Sequence, residues 1–253
     1  MKRIYFLLLP SILLSSPIRF GSAEEIEGCD LVLSEPRSGV NWLMSCLQFL
    51  TRKPLCPIHF RYSHPMNNRL GVDLDEKKPP FIRSHEIKVF LPVCKEKNRL
   101  ILVFRNYKET TIRECGDSAS RFSRAVQQKK LFHELAAKLN FFDRWPEENR
   151  HLVYYEDLLL KPKDVLQNLL VFLEEEDSLL EEFIENIQEY KRQCLSSYDK
   201  QVPGGSKSIS KGKSLDFHSK KVPKKLLYQA DGLFQSQYPY LWKKYLSRYK
   251  ERE

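Results

Sequence analysis

The sequence predicts an α/β fold with a mainly parallel central sheet flanked by helices. Three observations predict it. Short apolar runs alternate with stretches of helical periodicity, the runs suit burial on both faces, and the first runs through a tight loop into a helix. Doubly buried strands are the mark of a parallel sheet inside a helical shell. Four runs read as strands: Leu31–Leu33, Phe81–Ile82 (the weakest), Leu100–Phe104 and Leu152–Tyr155. Leu43, Cys46, Leu47 and Leu50 share one helical face. So do Leu131, Leu135, Leu139 and Phe142, then Val165, Leu169 and Phe172, then Leu180, Phe183, Ile184 and Ile187. Residues 199–214, DKQVPGGSKSISKGKS, read as a loop rich in Gly, Ser and Lys. Two helical patterns close the chain at roughly 223–234 and 240–249. The second is aromatic and basic, with Tyr240, Trp242, Tyr245 and Tyr249, and is expected to pack one face on the body.

A chain of 253 residues suits a single domain with a sizeable core. Its start reads as a signal peptide over residues 1–23. Met1-Lys2-Arg3 is basic, Ile4 to Leu14 is apolar, and Gly21-Ser22-Ala23 supplies small residues at the cleavage positions. The apolar segment is short and broken by Pro10, so no stable membrane span is expected. The expected folded domain is 24–253. The formal charge is +9, from 42 basic and 33 acidic residues. Much of the excess lies late, with 13 basic and 4 acidic residues from Lys200 to Glu253. Such a tail can steer an anion. No nucleic-acid-binding motif accompanies it, so a small anionic ligand is favoured over nucleic acid. The acids between Glu174 and Glu189 read as a solvated helical face. Six cysteines, at 29, 46, 56, 94, 115 and 194, fit disulfides in an exported protein but name no framework. No Cys-x-x-Cys pair occurs, and no metal site is expected.

Ligands of parallel sheets bind beyond the carboxyl ends of the strands, so the residues following each run matter most. After the first come Glu35-Pro36-Arg37-Ser38-Gly39-Val40-Asn41-Trp42. A loop entering a helix presents successive backbone N–H groups and the positive end of the helix dipole to an anion. Arg37 adds charge, Ser38 and Asn41 add side-chain donors, and Trp42 can stack on a base. Asn41 could instead cap the helix. The arrangement is P-loop-like but lacks the Gly-Lys-Ser/Thr ending of a Walker A loop, which disfavours a nucleotide-dependent kinase. After the second run comes Arg83-Ser84-His85; after the third, Arg105-Asn106-Tyr107-Lys108-Glu109. An arginine closing an apolar strand needs an anionic partner, from a ligand or from a buried carboxylate. After the fourth come Tyr155-Glu156-Asp157, whose carboxylates could orient neighbouring loops.

In this order the motifs resemble the sulfotransferases that use 3′-phosphoadenosine 5′-phosphosulfate (PAPS), and most closely the cytosolic, small-molecule branch. Pro36-Arg37-Ser38-Gly39-Val40-Asn41-Trp42 is similar to Pro-Lys-Ser-Gly-Thr-Thr-Trp, and Arg83-Ser84-His85 to Lys-Thr-His. Arg105-Asn106-Tyr107-Lys108-Glu109 is similar to Arg-Asn-Pro-Lys-Asp; Tyr155-Glu156-Asp157 is kept. Ser196-Ser197-Tyr198 resembles Thr-Ser-Phe, and Ser210-Lys211-Gly212 the late Arg-Lys-Gly. The resemblance implies a three-layer fold and in-line transfer of a sulfuryl group from PAPS to a hydroxyl or amine of a small-molecule or glycan acceptor. It implies that His85 is the general base and that Arg37 and Arg83 belong to the catalytic set. The loop Arg37, Ser38, Gly39, Val40 and Asn41 would hold the 5′-phosphosulfate. Arg105, Arg113, Lys211 and Gly212 would hold the 3′-phosphate, and Trp42, Tyr155, Ser196 and Tyr198 would frame the adenine. Five positions depart from the pattern: Arg37 stands for Lys, Val40 and Asn41 for two Thr, Arg113 for Ser, and Ser210 for Arg. These departures motivate a second reading, a protein of this fold that binds the nucleotide without turnover. An exported enzyme would need donor delivered to its compartment, as in a Golgi lumen; a cytoplasmic chain would not.

Overall fold

The computed structural model describes residues 27–55, 68–91, 95–201 and 215–250. The expected signal peptide, Cys56, Cys94, Lys211 and Gly212 lie outside these residues, as does most of the loop read over 199–214; the helix before it continues to Gln201.

Four strands form one parallel sheet in the order β2-β1-β3-β4: β1 Asp30–Ser34, β2 Phe81–Ser84, β3 Arg99–Phe104 and β4 Arg150–Tyr154. All four correspond to the apolar runs. β2 is longer than its run because Val32 pairs with Arg83 and Leu33 with Ser84, so the ladder carries two polar residues. His85 therefore lies one residue beyond the strand. The chain leaves β1 to form β2 on one side and returns to form β3 on the other. The crevice between the carboxyl ends of β1 and β3 is thus the switch point where such sheets take ligands.

Alternate strand residues feed two cores, which makes the fold three-layered. Leu31, Leu33, Leu100, Leu102 and Phe104 face one; Val32, Ile101, Val103 and Val153 face the other. The second core is covered by α1 (Val40–Thr51), α5 (Tyr155–Leu160), α6 (Pro162–Leu173), α7 (Leu180–Glu185) and α8 (Ile187–Gln201). The first is covered by α2 (Tyr107–Glu114), α3 (Ala119–Gln128), α4 (Lys130–Asp143) and α9 (Lys224–Gln237).

Two helical expectations are corrected. The apolar face read through Ile187 is split between α7 and α8 at Asn186. The last pattern is a short α-turn Pro239–Leu241, a π-turn Trp242–Leu246 and a 3₁₀ turn Ser247–Tyr249. The Asp143 carboxylate collects the Tyr240 hydroxyl at 2.9 Å, the Tyr245 hydroxyl at 2.6 Å and the Lys244 ammonium. A π-turn brings positions five apart onto one side, which an α-turn does not. Trp242, Tyr245 and Leu246 still pack on the body as expected. The four described cysteines, Cys29, Cys46, Cys115 and Cys194, are free thiols. No helix among the described residues is long and apolar enough to cross a membrane.

Candidate functional site

The loop from β1 to α1 is shaped by two left-handed residues, Arg37 (φ 66°) and Gly39 (φ 87°). Gly39 is required twice over. Its φ suits glycine, and a Cβ there would lie 2.1 Å from Cδ2 of Tyr155. The Tyr155 ring is thus packed directly on the loop, a contact that the sequence reading did not assign. Gly39 occupies the N-cap position of α1 and no side chain caps the helix. Its first N–H groups therefore face the crevice without a side-chain acceptor, as an anion site requires. Asn41 does not cap; its Oδ1 accepts a hydrogen bond from Arg83 Nη1. Ser38 is fully buried and its Oγ has no hydrogen-bond partner. Trp42 leans on the second core, with its ring centroid 6.1 Å from that of Phe183.

Arg105 follows β3 and is buried at 5% exposure. Its Nε has no partner, its Nη2 is 4.0 Å from Glu109 Oε2, and its guanidinium carbon stands 4.9 Å above the Tyr155 ring. Glu109 is already engaged: its carboxylate accepts the backbone N–H of His218 at 3.0 Å and of Ser219 at 2.6 Å. Arg105 is therefore only loosely countered, a costly state for a buried cation unless an anion arrives. Arg113, near the end of α2, comes to the same place. Burial lowers its pKa first, and the positive charges of Arg37 and Arg105 lower it further. Arg37, Arg105 and Arg113 thus lie within one another's electrostatic reach, and Arg105 and Arg113 both act on Tyr155. Arg37 Nε donates to Glu114 Oε1 at 2.9 Å, in a half-exposed pair.

His85 sits across the crevice. Its Nδ1 is 3.0 Å from the Ser34 carbonyl oxygen and 2.9 Å from Ser34 Oγ. A carbonyl only accepts, so Nδ1 carries the proton in the neutral ring and Nε2 keeps its lone pair. Burial pushes the imidazole pKa down to about 4, assisted by Arg83 and Lys138 and opposed by the bond to Ser34. His85 is therefore a neutral acceptor at physiological pH. Arg83 is itself lowered to about 10, chiefly by burial and then by Arg69.

The carboxylates after β4 orient loops, as one reading of the sequence held. Glu156 accepts the Asn106 N–H at 2.9 Å and the Tyr249 hydroxyl at 2.7 Å, and Asp157 pairs in bidentate fashion with Arg248. Ser196 is exposed on α8; Tyr198 lies on the same helix. Glu35 and Glu109 fell within the sequence motifs without a role of their own, and Ser34, Glu114 and Lys138 were not singled out in the sequence. The signal available for Glu35 was its place directly after a buried strand. Glu109 stands four residues after a strand-end arginine.

No family model matches the chain, and no curated protein matches it. Solved structures do. Mouse sulfotransferase SULT7A1 complexed with PAP superposes with a TM-score of 0.56 at 15% identity, over 89% of this chain and 91% of that one. Retinol dehydratase in complex with androsterone and the inactive cofactor PAP gives 0.55 at 12% identity, over 83% and 80%. The same enzyme with retinol and PAP gives 0.53 at 11% identity, over 83% and 81%. An all-parallel four-stranded sheet, a P-loop-like turn into α1 and this likeness over most of both chains together show that the chain has the fold of the PAPS-dependent sulfotransferases.

Proposed function

We propose that the chain is a sulfotransferase that moves a sulfuryl group from PAPS to a hydroxyl or amine acceptor. One observation carries the reading: the loop into an uncapped helix N-terminus and the end of β3 each hold a buried polar atom with no partner, Ser38 Oγ and Arg105 Nε, and the charges of Arg37 and Arg105 both act on Arg113. Such a cradle fits a ligand with anionic groups at two points. The neighbouring structures carry PAP, which supports the nucleotide as that ligand.

PAPS would supply an activated sulfuryl group joined to a phosphate oxygen. The chain's residues would do the rest. The N–H groups from Gly39 to Asn41, with Arg37, would hold the 5′ end and balance the charge that grows on the leaving oxygen. Arg105 and Arg113 would hold the 3′-phosphate, joined by Lys211 and Gly212. Trp42, Tyr155, Ser196 and Tyr198 would border the adenine. Nε2 of His85 would take the proton of the acceptor. Most of the rate would come from positioning and fixed charge. A small-molecule acceptor draws support from the androsterone and retinol held by a neighbour; a glycan is the other acceptor proposed.

Calorimetric titration with PAP tests the reading. Saturable binding is expected, weakened about 10- to 100-fold by Arg105→Ala and by Arg113→Ala, the size of a lost charge-assisted contact. No binding by the parent chain would overturn it. The second reading, nucleotide binding without turnover, is favoured by one contact, the Arg37–Glu114 pair, which turns that guanidinium toward a carboxylate. Binding of PAP with no transfer to any acceptor would select it.

A further inference from the structure

We propose that Glu35 is a positioning residue for proton transfer: directly after Ser34, which holds His85, it binds Lys138 as an ion pair, so that the imidazole can take up a proton near fixed cations. The inference rests on the reading of His85 as the base.

Glu35 follows Ser34, the residue that holds Nδ1 of His85. Its Oε1 lies 2.9 Å from Lys138 Nζ, and both side chains are largely buried. Lys138 reaches Glu35 from α4. Lys138 and Arg83 both bear on His85, and both disfavour its protonated form. Taking the acceptor's proton would add an imidazolium to the field of a guanidinium and an ammonium. Only a carboxylate bound to the ammonium removes one of those charges. A buried ion pair of this kind is rarely kept for stability, since an apolar pair of the same shape serves as well; its place beside the proposed base gives it a use.

The charged groups around it are these. On the β2 side, Arg83 opposes the charge on His85 and the adjoining Glu86 favours it. On α4, Lys138 faces Glu35, and Glu134 adds negative charge one turn earlier. On α2, Glu114 also bears on Glu35, with its own carboxylate held by Arg37. Burial and these two acids raise the Glu35 pKa, while Lys138 lowers it. The pair is therefore mutually dependent: without Lys138 the carboxyl holds its proton more tightly, and without Glu35 the ammonium is uncompensated.

The test compares Glu35→Gln, Lys138→Met and the double variant in the full chain. Two readouts are used: the His85 titration by NMR of a ring-labelled protein, and the pH profile of kcat for sulfate transfer. Glu35→Gln is expected to lower the His85 midpoint and to cut kcat at neutral pH roughly tenfold, within the range general-base effects span, with the KM for PAPS unchanged. Lys138→Met is expected to raise the midpoint, and the double variant to return it close to that of the parent. A midpoint unmoved by either single change, or moved the same way by both, overturns the proposal. The NMR titration needs no turnover. A chain that transfers no sulfate therefore sinks the sulfotransferase reading while the coupling of the pair to His85 is still decided.

Discussion

At Gly39 three demands meet in one residue: a positive φ, contact with the Tyr155 ring and the N-cap of α1. Gly39→Ala is expected to destabilise the chain by about 2 kcal/mol or more, from backbone strain plus a contact that neither the ring nor the backbone can relieve cheaply. Urea denaturation checks the loss; a variant as stable as the parent would mean that Tyr155 does not pack there. His85 makes a prediction of the opposite kind, in pH. Its folded pKa of about 4 lies below the ordinary histidine value near 6.5. The stability linked to its neutral form is thus present above about pH 6.5 and is lost as pH falls toward 4, by at most about 3 kcal/mol. Unfolding free energy measured against pH should fall less steeply in His85→Gln than in the parent. Both residues stood out in the sequence, the glycine within a tight loop and the histidine at a strand end. The contacts that define them, Tyr155 and Ser34, were not legible. They come from the start of α5 and the end of β1, and nothing in local spacing joins either pair.

The elements follow the same division. β1, β3, β4 and helices α1, α4, α6, α7 and α9 could be read because their burial is apolar and leaves a periodic trace. α2 left none. Of its buried residues only Tyr107 and Ile112 are apolar, too few to show a period; Lys108, Glu109, Thr110 and Thr111 are polar, and Lys108 is covered because both oxygens of Asp231 lie 2.9 Å from its ammonium. A helix buried through ion pairs looks like a surface segment in sequence. Lys108→Met is expected to cost about 3–5 kcal/mol, because it leaves Asp231 buried beside a methyl group; denaturant midpoints measure this. Glu109→Gln should cost about 1–3 kcal/mol, since one amide oxygen cannot take both N–H groups that the carboxylate now accepts. A denaturation midpoint unchanged by that replacement would mean that Glu109 does not tie α2 to the Ser219–Lys221 turn. The π-turn near the C-terminus was also invisible; the partner its tyrosine and lysine side chains meet, Asp143, lies far away at the end of α4.

For the whole molecule, the decisive feature is the switch in strand order between β1 and β3. It lays the turn at Arg37, the strand end at Arg105 and the helix end at Arg113 around one crevice, and sets His85 across from them. The order of the motifs along the chain was legible, and with it the class of fold. The sheet order was not, because apolar runs do not say which strand neighbours which. Excess positive charge, +9 over the chain, was read as a field for a small anion. The structure gives part of that charge a place: three arginines kept close at an electrostatic cost that a bound anion would relieve. The most direct measurement is transfer of radiolabelled sulfate from PAPS to a panel of hydroxyl and amine acceptors by the parent chain and by His85→Gln. The account predicts labelled product from the parent and at least a hundredfold less from the variant, about the smallest loss expected for a missing general base. Undiminished transfer by His85→Gln, or no transfer by the parent to any acceptor, would contradict it.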